Sequence, residues 1–78
     1  MTPENPREAI GLALQEVRRR RGVTQKVFAT TLGCSQASLS RWEMGKGEVP
    51  FRVLCRLTLS EVTYVYDSLR SFEQRGAP

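Results

Sequence analysis

The sequence contains no histidine, only two cysteines and no long run of apolar residues. Without histidine, the imidazole used in much acid–base catalysis and in many metal sites is missing. Cys34 and Cys55 lie apart and outside any CxxC motif, so they cannot supply a four-cysteine zinc site. We expect both to be small buried core residues. We also expect no metal, no cofactor and no enzymatic activity.

A chain of 78 residues has room for one small domain, so we expect a single domain over residues 1–78. No stretch approaches the roughly 18 apolar residues of a membrane span. The N-terminal residues also lack the apolar segment and cleavage site of a secretory signal. These features predict a cytoplasmic protein with no membrane partner.

Positive charge is concentrated in the first three quarters of the chain, whose overall formal net charge is +4. Residues 1–58 carry ten basic and five acidic side chains, whereas residues 59–78 carry two basic and three acidic ones. A basic surface attracts polyanions. The distribution therefore predicts a polyanionic partner for the first part and a protein partner for the last.

Helix start and end signals recur along the chain and predict an all-α domain of about five helices, with no strand. Gly22 and Gly33 are expected to end the first two helices, since glycine adopts the left-handed conformation found there. Pro50 lies near the start of the fourth helix. The predicted N-cap residues of the other helices are Asn5, Thr24, Ser35 and Ser60.

Apolar residues recur within these segments at helical spacing, which predicts the faces that form the core. The expected inner residues are Ile10, Leu14 and Val17; Phe28, Ala29 and Leu32; Leu39 and Trp42; and Phe51, Leu54, Cys55 and Leu57.

The last predicted helix, within residues 60–75, carries an apolar stripe that has two possible roles. One is to cover the protein's own core. The other is a two-fold dimer interface, which would also explain why positive charge is lost in this part of the chain. The stripe consists of Val62, Val65, Tyr66, Leu69 and Phe72.

Residues 24–44 combine two short helices with a glycine turn, which is the pattern of a helix-turn-helix. Ala29 is small where the two helices should cross, and Cys34 and Leu39 face the core. The side chains then left on the outer face of the second helix are Gln36, Ala37, Ser40 and Arg41.

The segment TQKVFATTLGCSQASLSRWEMGK resembles the Cro/C1-type (XRE-like) helix-turn-helix family of phage and bacterial repressors. The resemblance covers about residues 10–58. It implies a compact five-helix, lambda-repressor-like domain that binds pseudo-palindromic operators as a homodimer. It also implies a base contact from Gln36, further contacts facing bases from Ala37 and Arg41, and an ion pair between Arg18 and Glu43.

The remaining expected contacts go to the DNA backbone. In the family, the positions matching Gln25, Met44 and Lys46 commonly face phosphates. Four consecutive arginines, 18–21, fan around a helix and cannot all face one groove. We expect Arg18 to turn inward toward Glu43, and one or two of the others to reach phosphate. The full set of expected phosphate contacts is Gln25, Lys26, Ser35, Ser38, Lys46, Arg19 and Arg52, and Ser40 joins the base-reading set.

The sequence favours a DNA-binding transcriptional regulator, with repressor as the first hypothesis. Residues 1–5 would form an N-terminal arm, and the protein would be associated with the nucleoid when bound. The alternative is a protein-interaction module, antitoxin-like or an anti-activator, that uses the helical scaffold. The expected partners are operator DNA and a second copy of the chain, and RNA polymerase or a regulatory protein stays an open further partner.

Overall fold

The protein is a bundle of five helices without a strand over residues 2–76, the range that this computed structural model describes. The predicted all-α fold class is confirmed. Met1, Ala77 and Pro78, which the predicted domain also includes, lie outside the described residues. The helices are α1 (Pro6–Arg21), α2 (Gln25–Leu32), α3 (Gln36–Glu43), α4 (Phe51–Leu54) and α5 (Leu59–Gly76).

The ends of α1, α2 and α3 lie where the sequence predicts them. Asn5 Oδ1 accepts a hydrogen bond from the backbone N–H three residues later, at 3.0 Å. The hydroxyls of Thr24 and Ser35 accept in the same way at the starts of α2 and α3. Gly22 and Gly33 end α1 and α2 with φ values of 69° and 74°, which glycine adopts without strain. The chain can therefore reverse sharply before α2 and again before α3.

The core lies where α1 packs along α5 and against α3, with α2 packed on α3. The inner positions predicted for α2 and α3 are confirmed, and Leu14 and Val17 of α1 are buried as expected. Ile10 packs against the same cluster while partly exposed. The largest fully buried side chains are Phe28, Leu14, Leu32, Leu39, Val17 and Val53.

Gly11 marks the point where α1 comes closest to the end of α3. A Cβ atom placed on Gly11 would overlap with the carbonyl oxygen of Trp42 and lie 3.2 Å from the carbonyl carbon of Glu43. Both neighbours are backbone atoms, which cannot swing aside as a side chain can. The contact between α1 and α3 therefore depends on the missing side chain at Gly11.

A second link joins the C-terminal end of α1 to the start of α5. Arg21 donates two hydrogen bonds to Glu61, at 2.8 and 2.6 Å. These bonds, with further ones from Thr58, lower the pKa of Glu61 to about 2. The same bonds raise the pKa of Arg21. The pair is therefore charged throughout the physiological pH range.

The N-cap predicted for α5 at Ser60 is wrong, because α5 begins at Leu59 and Ser60 lies inside the helix. Thr58 Oγ1 accepts from the Glu61 N–H at 3.2 Å, and Glu61 accepts from the Thr58 N–H at 2.8 Å. This reciprocal arrangement is a capping box, in which both ends of a Thr-x-x-Glu sequence satisfy free backbone donors. Thr58 therefore has the position expected for Ser60.

The inner face predicted for α4 is wrong at two positions. Phe51 is 80% exposed, and Cys55 is also exposed. Val53, which the prediction omits, is fully buried, whereas Leu54 is partly buried and Leu57 buried as expected. The reason is that α4 has only four residues, too few for apolar spacing to define one face. Cys34 is half-buried, and burial raises the pKa of its thiol.

The apolar stripe of α5 divides between the core and the surface. Val65 is 6% exposed and belongs to the core cluster, and Val62 packs against that cluster. Leu69 and Phe72 are half-buried. Tyr66 is 56% exposed. In residues 2–76, no helix is long and apolar enough to span a bilayer.

We predict that Gly11→Ala destabilises the protein by about 1–3 kcal/mol, the usual range for overpacking a tight contact. Alanine would gain up to about 1 kcal/mol from its higher helix propensity, but the clash with backbone atoms outweighs this gain. The free energy of unfolding, measured by urea titration followed by circular dichroism, tests this prediction.

Gly47→Ala is the matched control for this substitution. A Cβ atom at Gly47 would lie 3.4 Å from the Trp42 ring, an ordinary van der Waals contact. The control should change stability by less than about 0.5 kcal/mol. An unfolding midpoint for Gly11→Ala equal to or above that of the wild type would contradict the close-approach argument.

Candidate nucleic-acid interface

α3 has two chemically distinct faces. Leu39, Trp42 and Glu43 are buried against the rest of the protein. On the outer side, Gln36, Ala37 and Arg41 are exposed, and Ser40 is partly exposed. These outer residues lie at helical spacing, one turn apart in two adjacent pairs. The structure thus places all four expected base-reading residues on one open face of α3.

The serines at the start of α3 are engaged with each other and with the backbone. Ser35 Oγ accepts from the Ser38 N–H at 3.1 Å and donates to Ser38 Oγ at 3.0 Å. These bonds fix the first turn of α3. The N–H groups of a helix's first turn and the helix dipole favour an anion, so this end of α3 suits the phosphate contacts expected of Ser35 and Ser38.

Glu43 holds three helices together at the inner side of α3. Its side chain is 3% exposed. The Glu43 carboxylate accepts two hydrogen bonds from Arg18 of α1, at 2.8 and 3.1 Å. It also accepts one from Gln25 Nε2 at the start of α2, at 3.0 Å. The structure thus brings Arg18 and Glu43 together as the resemblance implies, and it adds Gln25 to the pair.

Gln25 keeps donor capacity in this arrangement. Its amide has two N–H groups, and the contact to Glu43 accounts for one of them. The second N–H can donate to a phosphate oxygen. Glu43 therefore orients the side chain that the resemblance assigns to a phosphate.

The arginine run at the end of α1 is largely used within the protein. Arg18 pairs with Glu43, Arg20 with Glu16 and Arg21 with Glu61. The guanidinium of Arg20 also lies 4.4 Å from the centre of the Tyr64 ring. Arg19 is exposed, and among the described residues no carboxylate lies within 4.0 Å of it. These contacts leave Arg19 as the candidate of this run for a phosphate contact.

The segment 24–56 keeps an excess of unneutralised positive charge. Its two carboxylates, Glu43 and Glu48, pair with Arg18 and Arg7 of α1 rather than with its own basic residues. In the part of the chain that the structure describes, none of the segment's basic side chains forms a salt bridge. These exposed cations are Lys26, Arg41, Lys46, Arg52 and Arg56.

Several of these cations lie next to α3. Arg41 is on α3 itself and donates to the Lys46 carbonyl oxygen at 3.3 Å. Arg52 Nη1 is 3.5 Å from the carbonyl oxygen of Gly33 in the turn before α3. The resemblance places Met44 against phosphate. Met44 is the C-cap of α3 and is 53% exposed. Its thioether has no N–H or O–H to donate.

Arg56 is not among the phosphate contacts predicted from the sequence. A Cβ atom built on Gly33 would lie 3.7 Å from Arg56 Nη2, so this guanidinium lies over the same turn as Arg52. The sequence carried no signal for this position, because Arg56 lies beyond the end of α4 and meets the turn only through the tertiary fold. In residues 2–76 there is no group of three or more side chains that could hold a metal ion.

A family model described as a helix-turn-helix domain matches residues 9–58. The chain belongs to this helix-turn-helix family. The match runs from within α1 to beyond the end of α4 and agrees with the resemblance found from the sequence. Family membership indicates a DNA-binding regulator. Comparisons with curated proteins and with solved structures gave no significant match.

We predict that Arg18→Met destabilises this helix-turn-helix domain by about 3 kcal/mol, because it leaves the buried Glu43 carboxylate without its cation. The control is Arg20→Met. Arg20 is 61% exposed, and losing its surface pair and its contact with the Tyr64 ring should together cost less than about 2 kcal/mol. Both values come from chemical denaturation at neutral pH.

Adding Glu43→Leu to Arg18→Met should recover part of the loss, since the stranded charge is then replaced by an apolar side chain. Equal losses for Arg18→Met and Arg20→Met would contradict the role assigned to Glu43.

Proposed function

We propose that the protein is a transcriptional repressor that binds a pseudo-palindromic operator as a homodimer, with α3 in the major groove. The observation that carries this proposal is the open face of α3, flanked by cations that have no carboxylate partner among the described residues. An α-helix fits the major groove of B-DNA, where each base pair presents a distinct pattern of donors and acceptors. Occupying an operator is sufficient to exclude RNA polymerase from overlapping DNA.

The outer residues of α3 have the chemistry for reading bases. The Gln36 amide can donate to and accept from adenine, and the Arg41 guanidinium can donate twice to guanine. The Ala37 methyl can contact a thymine methyl, and the Ser40 hydroxyl can donate or accept. All four are available on the outer side of α3. We therefore assign base reading to this group.

Phosphate contacts complete the proposed complex and fix its register without conveying sequence. Lys26, at the first turn of α2, and Lys46, just past α3, are exposed cations at the two ends of the helix-turn-helix. Arg19 is exposed at the end of α1. The proposed set is Gln25, Lys26, Ser35, Ser38, Lys46, Arg19 and Arg52.

Dimerisation follows from the limited reach of one domain, which covers a single half-site. On α5, Leu59 is 82% exposed and Tyr66 is 56% exposed. With Val62 and Leu69 they follow a spacing of three, four and three, which is typical of a seam between paired helices. We propose this edge of α5 as the contact between two copies. Phe72 belongs to its margin, and Val65 supports it from within the core.

We expect Arg41→Ala to relax specificity at one base pair of each half-site, by about 1–3 kcal/mol, because one bidentate base contact is lost. Lys46→Ala should weaken binding to all sequences by a similar factor, since a phosphate contact carries no sequence information. Selection of bound duplexes from a random pool, followed by competition titrations with single-base variants, separates the two effects.

Two-fold symmetry in the selected sequences would support the dimer, with half-site centres about 10 base pairs apart. Equal affinity for selected and unrelated duplexes, unchanged by Gln36→Ala, would overturn base reading and favour the protein-interaction alternative.

We expect Tyr66→Asp to convert the dimer to a monomer, because it places a charge in an apolar contact. The residue is exposed in one copy, so the fold should tolerate the change. Ser71→Asp is the control, because five residues further along α5 the side chain is roughly 140° away around the helix. Light scattering after size exclusion gives the mass. A dimeric Tyr66→Asp, or a wild type that stays monomeric at every concentration, would exclude this interface.

A further inference from the structure

Two arginines lie against the turn between α2 and α3. Arg52 reaches it from α4 and donates to the Gly33 carbonyl oxygen at 3.5 Å. Arg56 reaches it from the residues just after α4, with Nη2 at 3.7 Å from the Cβ position of Gly33. Both arginines are exposed. We call them the turn arginines.

Nothing in the described part of the protein neutralises the turn arginines. The four salt bridges found there use other cations, and no carboxylate lies within 4.0 Å of Arg52 or Arg56. Holding two guanidinium groups beside one turn costs some electrostatic repulsion, which a bound anion would remove. The α1 arginines at positions 18, 20 and 21 differ, because each already has a carboxylate partner.

The turn arginines are also close to the start of α3. Gly33 precedes the N-cap Ser35 by two residues. Since consecutive Cα atoms are 3.8 Å apart, the two Cα positions are separated by less than about 8 Å. The N-terminal end of a recognition helix contacts base edges, so a charge at this distance faces the sugar–phosphate backbone beside the groove. The helix dipole adds further positive potential there.

We infer that Arg56 is a DNA-contacting residue that binds a backbone phosphate next to the one bound by Arg52, beside the N-terminal end of α3. The planar guanidinium fork matches the geometry of phosphate oxygens. The inference rests on the proposed function, and it extends the interface beyond α2 and α3 to the residues that follow α4. The contribution is independent of base sequence.

The test is a salt titration with a mixed-sequence duplex of about 25 base pairs, which reports phosphate contacts without an operator. Arg56→Ala should reduce the slope of log K against log salt by about 0.9, the value for one phosphate. At 0.15 M salt this corresponds to about fivefold weaker binding. The double variant with Arg52→Ala should lose about 1.8 of the slope.

Arg20→Ala is the matched control, because Arg20 is an exposed arginine on α1 whose guanidinium already pairs with Glu16. It should bind with the wild-type slope. Arg56→Gln keeps most of the side-chain stem and removes the charge. If Arg56→Ala loses its helical circular dichroism signal, Arg56→Gln takes its place in the titration.

The outcomes separate the two levels of the proposal. A wild-type slope for a folded Arg56 variant overturns the inference and leaves the proposed function intact. Failure of the wild type to bind the duplex even at low salt overturns the proposed function, and the inference with it.

Discussion

The buried carboxylate of Glu43 is the constraint on which the arrangement of the first three helices depends. Removing a carboxylate from water costs several kcal/mol, so the group must be matched by donors of good geometry. Here the donors come from Arg18 on α1 and Gln25 on α2, while Glu43 belongs to α3. A shift of α3 relative to either neighbour would break these bonds. The orientation of its outer face is therefore tied to the interior.

Close packing at the same end of α3 supports this orientation. Gly11 lets the backbone of α1 approach Trp42 and Glu43 directly. The cap bonds of Ser35 define the start of α3, and the left-handed Gly33 sets its direction. Each feature is local and modest in energy, but all of them act on an eight-residue helix that could not be stable in isolation. The scaffold thus supplies the rigidity that α3 lacks.

Local signals in the sequence predict α1 to α3 well because caps, glycine turns and apolar spacing agree there. Asn5, Thr24 and Ser35 each cap the expected helix. The prediction fails where a short element gives too little periodicity, as at Phe51 and Cys55, which are exposed rather than buried. At the start of α5 the signals compete. Ser60 is a good cap residue, but the Thr58–Glu61 capping box offers two hydrogen bonds and determines the boundary.

The candidate interface, too, could be predicted from the sequence only in part. The outer residues of α3 follow from helical geometry once α3 is located, so they could be predicted from the sequence. Arg56 could not, because its relevance comes from a tertiary contact with Gly33. The resemblance implied the pairing of Glu43 with Arg18 of α1, but nothing in the sequence indicated that Glu48 pairs with Arg7 of the same helix.

The pairing of carboxylates with α1 gives the molecule an uneven charge distribution. Most of the α1 cations have acidic partners, whereas the cations flanking α3 have none within residues 2–76. A neutral side and a cationic side give the molecule an electric dipole moment. The field of a nearby polyanion exerts a torque on this dipole as the protein diffuses. The cationic side then turns toward the polyanion before contact, which shortens the orientational search that limits most association rates. The same internal ion pairs that fix the helices thus shape the encounter.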